Sequence, residues 1–64
     1  MTPKKTLPQR QQELQSLLTT PAGRAELEQL EARYSAAQGR LRPAGASVIT
    51  YILVYEREHG LITG

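Results

Sequence analysis

The stretch Ser47-Val48-Ile49-Thr50-Tyr51-Ile52-Leu53-Val54-Tyr55-Glu56, SVITYILVYE, decides the fold. It contains both valines of the chain, two of the three isoleucines and two of the three tyrosines. Intrinsic propensity favours a strand, because Val, Ile, Thr and Tyr suit a pleated, half-buried surface. The flanks favour a helix. Ser47 is an N-cap candidate immediately before the run, Gly60 is a C′ candidate after EREH, and Arg57 and His59 complement the negative end of a helix. A lone strand would also lack a partner, since no other segment has strand character. The spacing therefore predicts a helix over 48–59, with a strand as the competing conformation. In the helix, Ile49, Ile52, Leu53 and Glu56 share one face, and Val48, Tyr51, Val54 and Tyr55 project from others.

Two more helices precede it. Thr6 opens the first, with Gln9 completing a T-x-x-Q capping box and Pro8 in the first turn. Leu7, Leu14, Leu17 and Leu18 carry the apolar stripe, and the helix is expected over about 7–19. Thr20 caps a second helix over 21–38, with Pro21 at its first position and Gly39 as its stop. Its stripe runs Leu27, Leu30, Tyr34, Ala37 and on to Leu41. Gly23 weakens the first turn. Residues 40–47 form a Pro/Gly linker, and 1–5 (MTPKK) form a flexible basic tail. The expected fold is all-α: one small three-helix domain over 6–64, with a strongly apolar third helix.

Sixty-four residues sit near the lower limit for an independent domain, and such chains usually add a disulfide, a metal or a partner subunit. The chain has no cysteine and one histidine, which excludes disulfides, thiolate chemistry and a His-based metal site. The longest apolar run, Val48 to Tyr55, falls well short of the roughly 20 residues that span a bilayer. No apolar leader follows the basic N-terminus. The expectation is a cytoplasmic protein that does not enter the membrane.

A helix apolar on all sides must be covered on all sides, and two short amphipathic helices are expected to cover only one. The residues left over, Val48, Tyr51, Val54 and Tyr55, are the predicted interface with another copy of the chain or another protein. No catalytic constellation is present. Glu58 and His59 are adjacent and do not face each other on a helix, and no serine lies in a motif with a base. No cofactor is implied, and no enzyme activity is expected.

The segment SVITYILVYEREHGLI also resembles the recognition helix and exit of winged helix-turn-helix DNA-binding domains. Ser47, Ile49, Leu53, Glu58, Gly60, Leu61 and Ile62 match that pattern, and the Leu27–Tyr34 helix would be the positioning helix. Glu56 stands where the family has Leu, and the wing would begin where this sequence stops. The resemblance implies a duplex-binding surface of Lys4, Lys5, Arg10, Arg40, Arg42, Ser47 and Thr50, with Tyr51 beside it. Its first turns lack the Arg, Lys, Asn or Gln that read base edges, so the implied contact is mainly with phosphates.

Overall fold

The computed structural model describes residues 3–64 and contains three helices: α1 Leu7–Leu17, α2 Pro21–Gln38 and α3 Val48–Glu58. Local chemistry sets each boundary. Thr6 caps α1 by accepting from the Gln9 amide, and the Gln9 side chain accepts from the Thr6 amide at 3.0 Å, so the predicted capping box is formed. Helix α1 stops at Leu17, two residues short of the expected end. Leu18 and Thr19 tighten into i→i−3 bonds to Gln15 and Ser16. Thr20 must be extended (φ −131°, ψ 151°) because Pro21 follows it and because it caps α2 through Gly23 N–H at 3.0 Å.

Helix α2 ends as predicted at Gly39, whose φ of 73° is the left-handed conformation that glycine adopts at no steric cost. That break overturns the extension of the α2 stripe to Leu41. Leu41 lies beyond the helix and is 83% exposed.

Helix α3 is a helix despite its β-branched residues. Ser47 accepts from the Thr50 amide at 3.1 Å and caps one end. At the other end Leu61 N–H bonds Glu56 C=O at 2.8 Å and Gly60 N–H bonds Arg57 C=O at 3.2 Å, a Schellman motif around Gly60 (φ 70°). Tertiary packing and two good caps outweigh the intrinsic preference for a strand. Among the described residues the only β pairing is an isolated parallel bridge between Thr6 and Thr63.

Each helix packs on the other two. The core is Leu14 from α1, Leu27 and Tyr34 from α2, Tyr51, Ile52 and Leu53 from α3, and Ile62 from the tail. The chain folds back after Gly60, and Ile62 is buried in the core. Thr63 N–H then bonds Lys5 C=O at 2.9 Å, and Leu7 N–H bonds Thr63 C=O at 2.7 Å. Of the expected tail 1–5, Met1 and Thr2 lie outside the described residues, while Lys5 is held by Thr63 and by an ion pair with Glu13.

Gly23 is buried, and its role is packing. A Cβ built on it would lie 2.2 Å from the Leu17 carbonyl oxygen, so α2 meets the end of α1 backbone to backbone.

Candidate interaction surface

Helix α3 presents two kinds of surface, and they differ from the prediction at one important residue. Tyr51 turns inward and is 9% exposed. Its hydroxyl accepts from Gln38 Nε2 at 2.9 Å, lies 3.1 Å from Ser35 Oγ and donates to Arg40 C=O at 3.3 Å. It is therefore a core residue that ties α3 to the end of α2, which corrects its placement on a free interface. The physical reason is a long-range contact: Ser35 and Gln38 at the end of α2, and the Arg40 carbonyl just beyond it, meet the Tyr51 hydroxyl and hold that side chain against the domain. Val48 is half-buried and packs against the core. Tyr55 is also half-buried, its ring stacked between Tyr34 and His59 with centroid separations of 4.0 Å on each side.

Val54 remains outside, 48% exposed. With Leu41, Pro43 and Tyr55 it forms an apolar groove between the 40–43 loop and α3, with Gln38, Arg40, the largely buried Tyr51 and Glu58 also lining it and a cavity of about 210 Å³. Leu41 also borders a shallower groove along α2 whose floor includes Ala32, Ala36 and Gly39. The exposed apolar residues Leu41 and Val54 thus share one face of the molecule.

Of the basic residues implied by the DNA-binding resemblance, three are engaged in ion pairs within the chain. Arg10 is turned inward. Its Nε and Nη2 donate to the two carboxylate oxygens of Glu56 at 2.8 and 2.9 Å, and its Nη1 donates to Glu13 at 3.0 Å. These bonds, that to Glu56 first, hold the guanidinium above its already high ordinary range. Lys5 pairs with Glu13, and Arg42 pairs with Glu31 at 3.1 Å and bonds Ala46 C=O. Ser47 spends its hydroxyl on the cap and on Thr50 Oγ1 at 2.9 Å. Lys4, Arg40 and Thr50 are exposed. Helices α2 and α3 are joined by residues 39–47, longer than the three- to four-residue turn of a helix-turn-helix.

The structure also assembles a group that sequence reasoning passed over. Glu56, 4% exposed, accepts from Arg10 and from the Tyr34 hydroxyl at 2.6 Å, which joins all three helices at one carboxylate. Burial, then the bond to Glu56, pushes the Tyr34 phenol up to about 12. The signal was present in the spacing. Arg10 falls between Leu7 and Leu14 on the α1 stripe, Tyr34 lies on the α2 stripe, and Glu56 lies on the Ile49–Ile52–Leu53 face. One charge of each sign on two facing apolar stripes marks a buried pair.

Among the described residues no buried side-chain nitrogen or oxygen lacks a hydrogen-bond partner. Nor do they include a group of three or more His, Cys, Asp or Glu placed to hold a metal, or a helix long and apolar enough to cross a membrane. No family model, no curated protein and no solved structure matches this chain.

Proposed function

We propose that this chain is a small non-enzymatic protein–protein interaction module that self-associates or docks on a partner through the outer edge of α3. The observation that supports this is the pairing of Leu41 and Val54 on one groove, with Pro43 and Tyr55 between the loop and the helix. An exposed valine and an almost fully exposed leucine keep apolar area in water that a partner would remove, at about 25 cal/mol per Å². Tyrosine beside them suits such a surface, because it offers apolar area and a polar edge together. The interface residues are thus Leu41, Val54 and Tyr55, with Val48 and Tyr51 supporting them from within. The non-enzymatic reading draws on the buried polar groups. The carboxylate of Glu56 is saturated by Arg10 and Tyr34, so the most buried titratable group serves packing.

A photo-crosslinking amino acid at position 54 tests this in cells that make the protein, with the exposed Glu26 position as control. The expected result is a discrete adduct from position 54 and none from position 26. No adduct from 54, or equal yields from both, would overturn the reading.

A further inference from the structure

We infer that the occupant of the Leu41–Val54 face is a second copy of this chain, related to the first by a two-fold axis. This rests on the reading of that face as a docking surface. Its charges supply the argument. Arg40 and Glu58 line the same groove as Leu41 and Val54, one from the loop after α2 and one from the last turn of α3. Among the described residues neither has an ion-pair partner, and the Arg40 guanidinium makes only a long 3.4 Å bond to Gln38 Oε1. A partner of single charge sign would satisfy one of these groups and repel the other.

A two-fold contact satisfies both. In an isologous interface residue i of one copy meets residue j of the other, and j meets i. Arg40 then faces Glu58 of the second copy while Glu58 faces its Arg40. Leu41 supplies the matching shape, because it projects from the loop beside the groove that it helps to line. Knob, hole, cation and anion are all on one face.

Reciprocity makes the proposal testable by charge exchange. Arg40→Glu turns both groove charges negative, and Glu58→Arg turns both positive. Each variant alone should self-associate at least about tenfold more weakly than the wild type, because like charges oppose each other twice in the contact. An equimolar mixture of the two should form a heterodimer with a Kd within about threefold of the wild-type homodimer, since both opposite-sign pairs reappear. Both positions are exposed, so helix content by circular dichroism should be unchanged. Single variants that dimerise like the wild type, or a mixture that shows no rescue, would overturn the inference. So would a wild type that stays monomeric at millimolar concentration. If that monomer still crosslinks from position 54 to a different protein, two-fold pairing is lost and the docking reading survives. If the crosslink is missing too, both are lost.

Discussion

Arg10 and Glu56, 46 residues apart in the chain, meet side-on with two parallel N–H···O bonds of 2.8 and 2.9 Å. The guanidinium fork matches the carboxylate, and Tyr34 O–H fills a further lone pair at 2.6 Å. Glu13 holds the other side of Arg10 at 3.0 Å. The pair makes a specific demand on helix register. A slip of one residue in α1 or α3 would bury an uncompensated charge.

Glu56→Ala should therefore destabilise the domain by about 3 kcal/mol, because Arg10 and Tyr34 lose their shared acceptor. A chain of this size holds only about 3–10 kcal/mol in total, so the variant would be near its unfolding threshold. Replacing the whole group with apolar residues (Arg10→Met, Glu56→Leu, Tyr34→Phe) should recover most of that loss. Urea unfolding of both variants checks this. A loss below about 1 kcal/mol for Glu56→Ala would show that the network contributes little.

Gly23→Ala tests the contact between α1 and α2. Helix propensity alone predicts a gain of about 1 kcal/mol. The structure predicts a net loss of about 2 kcal/mol, since the new methyl meets the Leu17 carbonyl oxygen at 2.2 Å and its Cα at 2.7 Å, and backbone cannot step aside cheaply. Thermal unfolding of the variant distinguishes the two signs directly.

The alkaline limb of the stability curve should belong largely to Tyr34. Its phenol is raised from 10.0 to about 12 in the folded chain, by burial first and the bond to Glu56 second. The folded state thus holds this proton more tightly than the unfolded state does. The stabilisation is complete below the unfolded value of 10.0 and is lost as pH rises through about 12. A shift of this size corresponds to about 3 kcal/mol. Tyr34→Phe should be less stable at neutral pH and should show a flatter decline above pH 10.0. An unchanged alkaline slope would contradict the assignment. At the acid end, Lys5 and then Arg10 hold Glu13 below the usual carboxylate range, so its contribution is present above 4.5 and is lost as pH falls below that.

Most of the fold was legible in the residues. Thr6, Thr20 and Ser47 cap the three helices, and Gly39 and Gly60 adopt the left-handed stops that their positions predict. Each of these signals is local, carried by a side chain and an amide a few residues apart. The less legible features were long-range. Whether Tyr51 is enclosed depends on Gln38 and Arg40 arriving beside its hydroxyl, which no spacing within α3 encodes. The tail was similar: Ile62 and Thr63 close the fold by returning to Lys5 and Leu7, almost the full length of the chain away. Hence the exposed apolar surface on α3 is narrower than a helix apolar on all sides implied. Val54 is exposed there and shares a groove with Leu41 of the loop.

The solution mass is the most direct test of that surface. By sedimentation equilibrium from micromolar to millimolar concentration, the wild type should rise from 7.1 kDa toward twice that value. Val54→Glu should remain at 7.1 kDa while keeping its helix content and its stability to within about 0.5 kcal/mol, because the side chain is already half in water. A wild type that holds 7.1 kDa throughout, or a Val54→Glu variant that pairs as well as the wild type, would contradict the account.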